Sequence, residues 1–271
     1  MPGFEWIDEE EKEAVSSIFD NGGVLFAHGF DGMRNGVYHV REFEQAVAEK
    51  FKVAHCQAVT SGTAATKVAL KAVGVKPGDE VITQAFNFIA TVEAILDCGA
   101  IPIVANVDRS LNMNPAELDS LVSPKTAAIV PVHMLGVPVD MDPVLDFARN
   151  KGLPVVEDNC ESVGACYGGE FLGTLGEAGV FSFDQGKIIA TGEGGMVLTN
   201  DSGIFKYANE YQDHGHENNP AFPRGLDTCS TPGFNYRMTE MQAAVGKVQL
   251  SKLDKMLEAN RERYVQLLDS M

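Results

Sequence analysis

The sequence predicts an α/β fold, a mostly parallel sheet flanked by helices, and three observations lead there. Short apolar runs of strand length alternate with amphipathic stretches of helical period for most of the chain. Those runs are nearly continuous rather than alternating, as expected of strands buried on both faces. With 271 residues, 45% of them hydrophobic, the chain can bury a sizeable core as one large domain or two small ones.

Taken in order, strands are expected at 55–60, 80–84, 101–107, 127–133, 154–157, 180–184 and 195–199. Helical patterns lie between most of them, at 64–73, 88–98, 115–121 and 141–150. Ser61-Gly62-Thr63 reads as the turn and N-cap of the first of these helices. Residues 1–45 form an N-terminal helix and a Gly-rich arm, NGGVLFAHGFDGMRNG, ahead of a large domain over 46–238. Residues 239–271 read as one long helix with apolar residues at helical spacing. In parallel sheets ligands settle beyond the carboxyl ends of the strands. Ser61-Gly62-Thr63, His133, Glu157-Asp158 and the turn holding Lys187 all fall there.

Composition excludes several function classes. A net charge of −17 repels phosphate backbones, so no nucleic-acid partner is expected. The opening MPGFEWIDEEEKEAV is acidic, unlike a secretory signal. The most apolar window, 88–107, is broken by Glu93, Asp97 and Pro102, so no membrane span is expected and the location is read as cytoplasmic. Five cysteines without a CxxC pair read as reduced, mostly buried thiols. His214 and His216 lack a third ligand nearby in sequence, and no metal is expected. Arg34 and Arg41, on the arm, could meet a sugar carboxylate or a nucleotide phosphate but read first as solvated charges.

There is no GxGxxG, and neither Gly186-Lys187 nor Gly246-Lys247 is followed by Ser or Thr, so the dinucleotide and P-loop readings fail. Taken singly, the remaining candidates stay ambiguous. Ser61-Gly62-Thr63 could seat a phosphate on a helix N-terminus or simply cap it. Asp158 could pair with a cationic ring nitrogen or cap a turn. Ser182 could add a hydroxyl to the same phosphate or sit in a strand. Phe88 reads as core before stacking platform, and His133 as a satisfied packing histidine. Lys187 could be a loop charge, a phosphate clamp or an amine for covalent chemistry. Their combination on one sheet edge meets the needs of pyridoxal 5′-phosphate: an anchored phosphate, a protonated ring nitrogen and a lysine for the aldehyde.

Six ordered stretches then carry a family resemblance: SGTAA (61–65), TQAFNFIATVEAIL (83–96), IVPVHMLGVPVDMDPV (129–144), VVEDNCESVGACYGGEFLGTLG (155–176), FSFDQGKIIATGEGGMVLTND (181–201) and GFNYRMTEMQAA (233–244). They resemble the DegT/DnrJ/EryC1/StrS aminotransferases, fold-type I pyridoxal-phosphate enzymes that aminate keto-sugars. MPGFE with LFAHGFDGMRN is similar to one branch, the 8-amino-3,8-dideoxy-octulosonate aminotransferases. The resemblance implies an amino-acid donor (glutamate), a keto-sugar acceptor that can carry a nucleotide, a role in surface polysaccharide or amino-sugar biosynthesis, and a homodimer with shared active sites. By resemblance Lys187 holds the cofactor aldehyde as a Schiff base and Asp158 binds the ring nitrogen. Gly62, Thr63 and Ala64 form the phosphate turn, Ser182 adds a hydroxyl, Phe88 stacks on the ring, and Asn235 reaches the neighbouring subunit's phosphate.

Two departures stand out. Glu161 replaces the usual Gln or His three residues after the aspartate, either as an added carboxylate near the ring oxygen that raises the Schiff-base pKa or as an acid protonated by burial. Family members also continue past the long helix into a small domain that closes the site, so a fragment or short form is expected here. Two rivals remain: a dehydratase of the same family, which carries His at the lysine position, and a non-catalytic descendant that only binds the cofactor.

Overall fold

The computed structural model describes residues 2–270 apart from 220, 223–225 and 230. Its strands are β1 (His55–Val59), β2 (Glu80–Gln84), β3 (Ile101–Ala105), β4 (Thr126–Ile129), β5 (Val156–Asp158), β6 (Cys166–Tyr167), β7 (Glu170–Phe171), β8 (Ala178–Ser182) and β9 (Gly195–Thr199). Its helices are α1 (Glu9–Asp20), α2 (His39–Phe51), α3 (Gly62–Ala72), α4 (Ala90–Asp97), α5 (Leu118–Leu121), α6 (Met141–Lys151), α7 (Ser202–Tyr211) and α8 (Glu240–Asp269).

Among the described residues β3-β2-β4 form one ladder and β1-β9-β8-β5 another. Parallel bridges Ile129–Val155 and Val132–Asp158 join them edge to edge. The sheet is mostly parallel, with a correction: β9 runs antiparallel to both β8 and β1. The reason is the connection. No helix lies between β8 and β9, so the chain turns back on itself instead of crossing over.

Alternate residues of the central strands face opposite layers, as the pleat requires. Val59, Val180 and Val197 pack with Ala65, Val68 and Leu70 of α3. Ala58, Phe181, Met196 and Leu198 pack with Phe43 and Val47 of α2 and Ala243 and Leu253 of α8. Burying both faces explains why these strands read as unbroken apolar runs. The edge strand β3 is the exception, with Ile101 and Val104 exposed. Helix α3 is buried nearly all round because its first turns carry small residues, Gly62, Ala64 and Ala65, that let it lie close on the sheet.

The arm is tied down, not solvated. Arg34 is 2% exposed and caps the carbonyls of Phe26 and Gly29 while its Nη1 lies 3.5 Å from Glu240. Glu240 in turn accepts the N–H groups of His39 and Val40 at the start of α2. Arg41 does reach solvent, lying over the Tyr38 ring at 4.2 Å. The cysteines also depart in part from expectation: all are free, Cys56 and Cys98 are buried, and Cys166 and Cys229 are exposed. Among the described residues no helix is long and apolar enough to cross a membrane.

Helix α1 is held on α8 by a cluster of ion pairs around Lys252. Glu11 closes a capping box with Asp8 and accepts from Lys252 Nζ at 2.9 Å through both oxygens. Glu11 is 2% exposed. Lys252→Met would leave that carboxylate without its cation. Lys252 also pairs with the exposed Asp8 and Glu10, so one side of the cluster faces solvent and the expected loss is about 2 kcal/mol, below that of a fully dry pair. Urea unfolding of the two proteins measures it.

Candidate active site

The carboxyl ends of β1, β5 and β8 converge on a cavity of about 350 Å³, lined by Gly62, Thr63, Phe88, Asp158, Glu161, Ser182 and Lys187 among others. One wall is the first turn of α3. Ser61 Oγ accepts the Ala64 N–H at 3.1 Å and caps the helix. The N–H groups of Gly62 and Thr63 have no acceptor within the helix and belong to the residues that open on the cavity. Ala64 does not line the cavity, and its N–H is taken by the Ser61 cap. So the expected phosphate turn divides: its first two residues face the cavity and the third closes the cap.

That turn is wedged against the sheet. A Cβ on Gly62 would stand 2.7 Å from Ser182 Cβ and 3.1 Å from Cys160 Sγ. A Cβ on Gly195 of β9 would meet the Ser61 carbonyl oxygen at 2.3 Å. Only glycines let the helix N-terminus and the Ser182 hydroxyl share one end of the cavity. Donor N–H groups, a hydroxyl and the positive end of a helix make that end suited to an anion.

The floor is Asp158, 5% exposed at the end of β5. Its Oδ2 accepts the Thr91 hydroxyl at 2.7 Å and its Oδ1 accepts the Cys160 N–H at 3.1 Å. Burial and the neighbouring Asp158 carboxylate push the Cys160 thiol well above its usual range, so Cys160 stays a thiol. Thr91 went unread in the sequence. Its only mark there is its place one helical turn beyond Phe88 in AFNFIAT. Phe88 itself is not core: it is 65% exposed at the cavity wall.

Lys187 sits in the turn after β8, its N–H donating to the Asp184 carbonyl at 2.9 Å. Its Nζ contacts Glu161 Oε1. The Glu161 side chain keeps 25% of its exposure. It therefore stands beside the amine and partly open to solvent.

His133 and Glu157 stand behind this wall. His133 Nδ1 accepts the Val139 N–H at 3.1 Å, and Nε2 lies 3.1 Å from Glu157 Oε2. Glu157 also accepts from the N–H groups of Gly173, Leu175 and Gly176. Both are fully buried, and His133 is the satisfied packing residue expected. Asn235 is not brought to the cavity; it is exposed and bridged to Asp213.

An anion end, a buried acid, an amine and an exposed aromatic around one cavity fit a flat heteroaromatic phosphate bearing an aldehyde. Comparison with known proteins agrees. The profile of the DegT/DnrJ/EryC1/StrS aminotransferase family matches residues 7–271. The GDP-perosamine synthase of Caulobacter vibrioides is 44% identical over 225 residues, 83% of this chain and 59% of that protein. An aminotransferase structure from Psychrobacter cryohalolentis superposes with a TM-score of 0.83 at 35% identity, over 92% of this chain and 63% of that one. An E. coli GDP-4-keto-6-deoxy-D-mannose-3-dehydratase with bound hydrated PLP superposes with a TM-score of 0.86 at 28% identity, over 97% of this chain and 70% of that one. The chain thus spans about three fifths of the length of the curated relative it matches.

The wedge at Gly62 is testable by itself. Gly62→Ala is expected to lower stability by about 1–3 kcal/mol through overpacking against Ser182 and Cys160. Adding Ser182→Gly should recover part of the loss, a coupling readable by denaturant unfolding of the double-mutant cycle.

Proposed function

The chain belongs to the DegT/DnrJ/EryC1/StrS aminotransferase family, and from that premise we propose that its cavity binds pyridoxal 5′-phosphate and moves an amino group from an amino acid, glutamate by resemblance, to a keto-sugar. The observation that carries this reading is the meeting of Lys187, Asp158 and the Gly62-Thr63 turn around one cavity.

Pyridoxal phosphate, when bound, supplies an aldehyde for an amine and a ring that takes up the electrons left by deprotonation at carbon. The residues of the chain do the rest. The N–H groups of Gly62 and Thr63, with the Ser182 hydroxyl, hold the phosphate. Phe88 would pack on the ring, and its exposure lets it settle on a ligand without disturbing the core. Asp158, oriented by Thr91 and the Cys160 N–H, presents a fixed carboxylate to the ring nitrogen and keeps a proton there. Lys187 Nζ would bond the cofactor aldehyde and, as a free amine, would serve as the base that moves a proton at the donor's α-carbon. Glu161 is the counter-charge that keeps this amine aimed into the cavity between turns of the reaction.

The same reading extends to a cytoplasmic homodimer. Asn235, exposed and away from the cavity of its own chain, is available to the phosphate of a second copy. Lys187, where dehydratases of the family carry His, favours amino transfer over dehydration. The three regions 1–45, 46–238 and 239–271 then serve as arm, cofactor domain and connecting helix.

Purified protein mixed with pyridoxal phosphate should become yellow, and borohydride should fix one adduct on the Lys187 peptide. Lys187→Ala should lose both adduct and turnover; a variant that still transaminates rejects the role. Asp158→Asn should retain cofactor and lose at least about a hundredfold in the half-reaction with glutamate, a change of about 2.7 kcal/mol. An unchanged rate rejects the ring-nitrogen assignment. Acceptors are then separated by absorbance on a panel spanning an 8-oxo octulosonate and nucleotide-linked keto-sugars.

A further inference from the structure

Lys187 lies in the connection between β8 and β9, and the contacts that hold its two backbone ends differ in origin. Its N–H side is held locally, by the Asp184 carbonyl at 2.9 Å, while Asp184 Oδ1 takes the Gly186 N–H at 2.9 Å. Its carbonyl side receives a hydrogen bond from far away in sequence: the Gly3 N–H, at 2.7 Å. The next residues are fixed from the same quarter. Ile189 and Ala190 are fully buried, and the Ala190 N–H points to Gln249 Oε1 of α8 at 3.4 Å.

Gly3 has its own mooring. It opens the 3-10 turn Gly3–Trp6. The Trp6 carbonyl accepts from Lys252 Nζ at 3.0 Å, and Lys252 and Gln249 both bond Glu11 of α1. The Lys187 carbonyl is therefore connected through Gly3 and Trp6 to the buried pair that docks α1 on α8.

The fit at Gly3 leaves no space. A Cβ there would stand 2.3 Å from the Ile188 carbonyl oxygen and 2.5 Å from Gln249 Oε1. Gln249 could swing aside, but Ile188 is backbone, adjacent to the lysine. The backbone of Gly3 has no positive φ, so the requirement is for room alone.

We propose that Gly3 is a positioning residue for Lys187: by donating to the Lys187 carbonyl and lying flush on Ile188, the N-terminal turn fixes where the amine stands in the cavity. This rests on the reading of Lys187 as the cofactor amine. A misplacement near 1 Å can cost two orders of magnitude in rate, so a contact at the backbone of the reacting residue is enough.

Two variants test it in the full chain. Gly3→Ala keeps the donor and adds the colliding Cβ. Gly3→Pro removes the donor, and the extended Pro2 (φ −69°, ψ 152°) already suits a following proline. Gly32→Ala is the control, on the same arm with nothing within 4 Å of its Cβ. In cofactor-free protein, hydrogen–deuterium exchange over 185–191 should speed up in either Gly3 variant, with β8 and β9 unchanged. The rate of pyridoxal-phosphate capture on Lys187, trapped by borohydride, should fall at least about tenfold, while Gly32→Ala matches the parent. If both Gly3 variants fold and show parental exchange and capture, the inference is overturned. If both unfold, it is also overturned, since the turn would then be holding the whole fold and not this loop. A parent protein that captures no cofactor at all would sink the functional reading instead, leaving the exchange result to decide this one.

Discussion

The site depends on how closely a helix can approach a sheet. Helix α3 begins where β1 ends, and its first turn must pass between the Ser182 side chain on β8 and the backbone of β9. Gly62 and Gly195 make that passage possible, since a single methylene at either would collide with a neighbour. Once the turn is seated, the helix N-terminus, the Ser182 hydroxyl and the Asp158 carboxylate are held within one cavity. The chemistry is thus a consequence of packing: small residues permit contact, and contact brings polar groups from distant strands together.

Electrostatics then explain why the anion end is built from backbone. The cavity lining includes Asp158, Glu161, Asp184 and Glu193 against Lys187, in a chain of net charge −17. A phosphate entering such a field is opposed at long range by every carboxylate. Solvent and salt weaken that opposition over about 8–10 Å, whereas N–H groups in contact act at full strength. A helix terminus and a hydroxyl attract the phosphate without placing a second cation beside Lys187, which would compete for Glu161. Local dipoles can therefore select an anion that the global charge disfavours.

Much of this was legible in the sequence, for definite reasons. The central strands were readable because burial on both faces makes them unbroken apolar runs, and Lys187 because it stands between such a strand and a glycine cluster. The direction of β9 was not readable, since an apolar run carries no sign of its orientation; only the helix-free connection from β8 sets it. The short hairpin of β6 and β7 is too brief for any period to register. Arg34 read as a solvated charge because its partners, Glu240 and the carbonyls of Phe26 and Gly29, are recognisable only once α8 folds back on the arm. Thr91 was hidden for a related reason: a hydroxyl gains meaning from the carboxylate it meets, and Asp158 lies 67 residues away. A run of small residues after a strand also does not reveal that the cap takes the Ala64 N–H.

The same logic bears on the arm. Its contacts with the lysine turn are few, and one hydrogen bond contributes only about 1 kcal/mol net to stability. Judged by energy, the N-terminal turn could be dispensable. Judged by geometry, it is not. The Lys187 side chain ends several bonds from its backbone, so a small rotation of the peptide moves the amine by more than the peptide itself shifts. Rigid strands fix Ser182 and Asp158 directly, but a connection without a helix has only its neighbours to define it. Gly3 and Gln249 supply that definition from opposite ends of the chain. A turn far from Lys187 in sequence is thus among the segments that set where its amine can stand.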